Sequence, residues 1–185
     1  MNKILVLLLA LSGFSANAQE CNSNSKKVVV MLTMHGTIME VKAAREAACA
    51  RGERLVLLPE MTDVQRTKIE NLTQKLISMG NQMSTLYYKD PKKYEKMEKE
   101  ASNLNEALNA ENAKVRTQNK NGADTNELLT DLLSKFDKNG TKVQGVIVSG
   151  HNGGSGFYGD LGRVEADDIA MQAVMHPSMK DLKSI

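Results

Sequence analysis

Residues 27–34 form a near-continuous apolar run in which Val28, Val29, Val30, Met31 and Leu32 follow one another without a polar break. A strand with one wet face alternates apolar and polar side chains, so an unbroken run belongs to a strand covered on both faces, the habit of parallel sheets flanked by helices. The pattern recurs at residues 54–58, ended by Pro59, and at residues 143–149. Between the first two runs, Ile38, Val41, Ala44 and Ala48 sit at helical spacing, and Gly52 supplies a C-terminal stop. The order strand, helix, strand predicts a right-handed crossover within a parallel sheet.

From Ile69 the character changes. Ile69, Leu72, Leu76, Met79, Met83 and Leu86 alternate spacings of three and four, a heptad seam, and a second seam runs through Tyr94, Met97, Ala101, Leu104 and Leu108, extended more weakly to Val115. Asp90 and Pro91 between them read as a helix cap followed by proline at the first helical position. Two helices joined so tightly pack antiparallel, which predicts a coiled-coil hairpin over residues 63–118, inserted into the sheet domain and projecting from the edge where the second strand ends. The charged side chains of this hairpin, among them Lys92, Lys93, Glu95 and Lys96, read as a solvated face.

After a polar linker at residues 119–123, Asp124 to Glu127 has the form of a capping box. Its helix carries Leu128, Leu129, Leu132, Leu133 and Phe136 and stops at Asn139 and Gly140. The third strand then delivers His151 into a glycine-containing loop, with a further helix expected over residues 163–175. Loops at the carboxyl ends of parallel strands are where open α/β sheets bind and react, and glycines there let a substrate approach the backbone. Residues 137–140 do not complete a calcium loop, because the glycine falls early and the closing glutamate is missing; residues 150–156 lack the ending of a phosphate-binding loop. No metal and no cofactor are expected.

Lys3, an apolar run over residues 4–11, and Ala16-Asn17-Ala18 form a cleavable signal peptide, so the protein is expected to be secreted or periplasmic and to carry no membrane anchor. Lysine and arginine number 24 against 22 acidic residues, which leaves no large basic field for nucleic acid or acidic lipid. The domain organisation is then a signal peptide at 1–18, a first part of the α/β domain at 19–61, the hairpin at 62–118, and a second part at 119–185 that stops where a fourth strand is expected.

The strand-borne His151 within Gly150-His151-Asn152-Gly153, taken with the order of elements before it, resembles the front half of the caspase-like cysteine peptidase fold, the group of caspases, legumains, gingipains and clostripain. The resemblance implies a three-layer α/β/α architecture around a parallel sheet, with a nucleophilic cysteine at the end of the fourth strand. It implies that His151 is the general acid/base, that the Gly153 amide is the oxyanion donor, and that a peptide or protein is the substrate. Two departures accompany it: Asn152 stands where the family has glycine after the histidine, and no cysteine follows His151.

Cys49 sits about twelve residues along the first helix, roughly 18 Å from the level of His151, too far for a nucleophile to reach its base. Cys21, which precedes the first strand, belongs at the same lower edge, so Cys21 and Cys49 are either disulfide partners or two unpaired thiols. His35 ends the first strand and stands either as a second polar group at the loop edge or as a solvated side chain, while His176 before Pro177 reads as structural. Two functions remain open: an exported caspase-like peptidase, or a fragment of one, inactive as written; and a non-catalytic exported binding protein that engages a protein partner through its hairpin.

Overall fold

The structure, a computed structural model, describes residues 24–35, 37–119 and 124–183. The expected signal peptide and Cys21 lie outside the described residues. The chain is a mixed α/β fold. Strands β1 (Lys27–Thr33), β2 (Arg54–Leu58) and β3 (Lys142–Ser149) form a parallel sheet in the order β2-β1-β3, with β1 central. Helix α1 (Ile38–Ala50) makes the crossover from β1 to β2, and Gly52 after it takes φ 68°, the left-handed conformation that ends helices at low cost in glycine.

The continuous apolar run of β1 is explained by what covers it. Val28, Val30 and Leu32 point into a cluster with Leu129, Leu133 and Phe136 of α4 (Thr125–Asn139) and with Ile169 of α5 (Ala166–Met175). Met31 points the other way, onto Val41 and Ala44 of α1. Both faces of the sheet are therefore dry, and each fully buried side chain contributes about 1.5–3 kcal/mol. Asp124 caps α4 by accepting from the Glu127 amide at 2.8 Å, and Gly140 closes it at φ 72°.

Helices α2 (Asp63–Leu86) and α3 (Pro91–Gln118) form an antiparallel pair, with the predicted bounds. Side chains at the base meet across it: Gln65 donates to Gln118 at 2.6 Å and Lys68 pairs with Glu111 at 2.7 Å. Thr62 and Gln65 cap α2 reciprocally, and Asp90 caps α3 by accepting from the Lys93 amide at 3.1 Å. Ile69, Leu108 and Val115 of the two seams are buried, while Leu72, Leu76, Met79, Met83, Leu86, Tyr94, Met97, Ala101 and Leu104 are half-buried.

One expectation is corrected. Residues 163–165 are strand, not helix. After β3 come β4 (His151–Asn152), β5 (Gly156–Gly159) and β6 (Gly162–Glu165), a small antiparallel sheet in the order β4-β5-β6, and α5 starts only at Ala166. Phe157 pairs directly with Val164 and both pack on the main core, while Arg163 and Glu165 ion-pair at the two-residue spacing of a strand face. A helix over residues 163–175 would lose this alternation.

Candidate active site

Parallel strands bring their carboxyl ends to one edge, and the register of β1 against β3, with Thr33 opposite Ser149, sets His35 beside His151. The two imidazoles meet edge to face, centroids 4.3 Å apart and planes at 70°. His151 also meets Tyr158, its pairing partner across β4 and β5, with ring centroids 5.8 Å apart. His151 is exposed; His35 is half-buried, and its Nε2 is shielded from solvent without a hydrogen-bond partner. An exposed imidazole in contact with two rings has a defined orientation while remaining open to a substrate.

Met34, fully buried, ties the edge together. Its amide donates to the Ser149 carbonyl at 2.7 Å and its own carbonyl accepts from the Leu161 amide at 2.9 Å, so β1 bridges the main sheet and the small one. Leu161, in the turn between β5 and β6, is buried with Ile69, Leu108 and Val115 of the helical pair, and the Arg116 guanidinium donates to the Asp160 carbonyl at 2.9 Å. The base of the helical pair thus packs on the turn that carries Tyr158 to His151. Glu70 of α2 also reaches this edge, accepting from the Ile38 amide at the start of α1.

Glu40, in the first turn of α1, accepts hydrogen bonds from the Ser149 hydroxyl and, at 2.6 Å, from the Thr37 hydroxyl. These bonds, Ser149 first and Thr37 second, outweigh partial burial and hold its carboxyl below the usual glutamate range, with a smaller contribution from the nearby His35. A carboxylate so stabilised is a weak base, and the Ser149 proton is committed to it, so Glu40 and Ser149 act as structural support for the edge. Neither was singled out in the sequence. The available signal was position: an acid in the first turn after a buried strand lies at the reactive edge of a parallel sheet.

The loop after His151 is closed on itself. The Gly153 amide donates to the Gly156 carbonyl at 2.8 Å, and the Asn152 side chain accepts from the Gly154 amide at 2.9 Å, which gives Asn152 a local role where glycine stands in the resembled family. Gly153 therefore lies in the loop of His151 with its amide engaged. Most glycines here admit the protein's own atoms. A Cβ on Gly150 would lie 2.9 Å from Met34 Cβ, one on Gly159 would strike the Met34 carbonyl, and one on Gly153 would lie 2.7 Å from the Tyr158 ring. Only Gly154, at φ 92°, needs glycine's left-handed freedom in this loop.

Cys49 lies near the opposite end of α1 from Glu40, about 14 Å away along the helix. His176 accepts a structural place: its Nδ1 is 2.6 Å from Asp137, whose other oxygen accepts from the Ser178 amide at 2.7 Å. Among the described residues, no group of three or more His, Cys, Asp or Glu side chains converges as metal ligands, and no helix is long and apolar enough to cross a membrane. No protein-family model, curated protein or solved structure matches this chain.

Proposed function

We propose that this polypeptide is the histidine-bearing part of an exported caspase-like cysteine peptidase that hydrolyses protein or peptide bonds, its three-layer α/β body interrupted by a coiled-coil hairpin. The observation that carries the reading is the exposed His151 at the carboxyl edge of a parallel sheet, in contact with His35 and Tyr158. In that role His151 takes the proton from a cysteine thiol as the sulfur attacks the scissile carbonyl, then returns it to the leaving amine. The cysteine is not among residues 152–185, so residues 1–185 alone are inactive by this mechanism. In the resembled fold it belongs to a strand beside β3, a reading supported by the Lys183 amide, which donates to the Gln144 carbonyl at 3.0 Å. The Gly153 amide serves as oxyanion donor only if its bond to the Gly156 carbonyl is released on substrate binding.

The test uses the complete product of the gene, purified after export, with mixed fluorogenic peptides and a thiol-directed covalent probe. Hydrolysis that falls about a hundredfold or more in His151→Ala, with the probe on a cysteine outside residues 1–185, supports the proposal. Hydrolysis indifferent to His151→Ala, a probe adduct on Cys49, or no hydrolysis and no adduct overturns it. The last outcome favours the binding-protein reading, which has its own support in the exposed Tyr87 and Tyr88 at the turn of the helical pair.

A further inference from the structure

The chain has four tyrosines, and three of them gather at the far end of the helical pair. Tyr87, just past the end of α2, meets Tyr88 at 4.8 Å and Tyr94 of α3 at 5.2 Å between ring centroids, both nearly perpendicular. The cluster is not buried by this packing: Tyr88 is 89% exposed and Tyr87 53%. In a protein with no tryptophan and few aromatics, this concentrates amphipathic rings at one tip.

Lysines surround the rings. Lys89 lies in the turn, Lys92 and Lys93 in the first turn of α3, and Lys96 one turn further; all are exposed, and none of their ammonium groups forms an ion pair among the described residues. Helix stability does not account for them. The N-terminus of a helix is the positive end of its dipole and favours acidic side chains, yet the first turn of α3 holds no acid and two lysines. Asp90 and Glu95 are the acids among these lysines, with Glu98 and Glu100 following in the next turn of α3, and the Asp90 carboxylate is engaged as the cap. The near balance of charge over the whole chain conceals this local excess.

We propose that the tip formed by Tyr87, Tyr88, Lys89, Lys92, Lys93 and Lys96 docks on an anionic lipid surface. Tyrosine rings rest at headgroup depth because one end is apolar and the other hydrogen-bonds, and lysines extend flexible stems to place ammonium groups among lipid phosphates. Each lysine near an anionic leaflet is worth about fivefold in partitioning. Exposed rings and ammonium groups at the turn of two helices suit a broad flat partner. The 24 residues of α2 would hold the α/β body about 36 Å from that surface.

The experiment is flotation of the purified chain with vesicles of phosphatidylcholine alone and of phosphatidylcholine mixed equally with phosphatidylglycerol. Because the chain has no tryptophan, Tyr88→Trp gives a single emission reporter at the tip. Binding is expected to the mixed vesicles and not to phosphatidylcholine, to weaken in high salt, and to shift the emission of Tyr88→Trp to shorter wavelength. Replacing Lys89, Lys92, Lys93 and Lys96 together by Gln should lower partitioning at least about tenfold. Inorganic phosphate should not release the protein. No binding, equal binding to both vesicles, binding undiminished in the fourfold Gln variant, release by free phosphate, or unchanged emission from Tyr88→Trp in vesicle-bound protein would each overturn the proposal.

Discussion

The imidazole of His35 lies edge to face against that of His151, 4.3 Å between centroids. The contact follows from strand register: Thr33 is opposite Ser149, so the residues two steps beyond each strand end side by side. Contacts of this kind between aromatic rings are worth about 0.5–1.5 kcal/mol, less when one partner is exposed. Their greater effect is on orientation.

His35→Ala should release the His151 ring to sample several rotamers, whereas His35→Phe should keep it fixed. Side-chain NMR of His151 measures this: averaged Cβ proton couplings are expected in the first variant and distinct couplings in the second. Distinct couplings in both would show that Tyr158 alone orients the ring.

Gly150→Ala should destabilise the protein by about 1–3 kcal/mol, the ordinary cost of overpacking. The added methyl would lie 2.9 Å from Met34 Cβ and 3.1 Å from the Tyr158 carbonyl, at the junction of the two sheets. Urea unfolding gives the magnitude, and an unchanged midpoint would mean that the edge relaxes without strain. By contrast Gly80→Ala, in the middle of α2 with open space around it, should be neutral or slightly stabilising.

Leu161→Ala should cost about 2–5 kcal/mol, since the side chain is 4% exposed among Ile69, Leu108 and Val115. The consequence reaches the site, because the same turn carries Tyr158 back toward His151. Removal of residues 62–118 should likewise unsettle the small sheet, since it strips the cover from Leu161 and removes Arg116 from the Asp160 carbonyl. Asn119, which holds the Glu60 backbone at both its amide and its carbonyl, forms the hinge of that junction. Amide hydrogen exchange in β5 and β6 of the deletion variant checks this, with protection retained counting against it.

Sequence pattern carried the main sheet and the helical pair because both express long-range burial as short-range period. The valines of β1 could be dry on both faces only inside a covered sheet, and the seams from Ile69 and Tyr94 fall on the less exposed sides of α2 and α3, buried only at Ile69, Leu108 and Val115. The small sheet was hidden because its strands are only two to four residues long and β5 and β6 contain glycine, so Phe157 and Val164 alone carry the alternation. At the site, His151 was legible from its strand and glycines. The reason for the glycines was not, since it depends on Met34 arriving from another strand. Glu40, Ser149 and Tyr158 were invisible for the same reason: each matters through a neighbour distant in sequence.

If the chain is exported as proposed, Cys21 and Cys49 should be joined, closing a loop of about 28 residues worth roughly 3–4 kcal/mol in chain entropy. Intact-mass measurement with and without reduction before alkylation decides it. Two alkylated thiols in the unreduced sample would exclude the bridge.

Acid should weaken the protein through Asp137. Burial, the largest single influence on this carboxyl, pushes its pKa up, but hydrogen bonds from His176 and from Ser178 together outweigh it and leave the group below the usual aspartate range. A carboxyl whose pKa is lower folded than unfolded stabilises the fold fully above its unfolded value and loses that contribution as pH falls through the folded one. Stability should therefore decline on acidification below the ordinary aspartate pKa, near 3.9, with Glu40, lowered chiefly by its bond from Ser149, adding to the slope from the ordinary glutamate value downward. Asp137→Asn removes the charge while keeping the shape, and should lower stability at neutral pH by about 1–3 kcal/mol through the weakened bonds to His176 and Ser178. In that variant the acid slope should flatten, because the group that took up the proton is gone. Unfolding midpoints measured from neutral pH downward test both statements together: an Asp137→Asn protein as stable as the parent at neutral pH, or one with an identical acid slope, would show that the contact between α4 and the segment after α5 does not depend on the charge of Asp137.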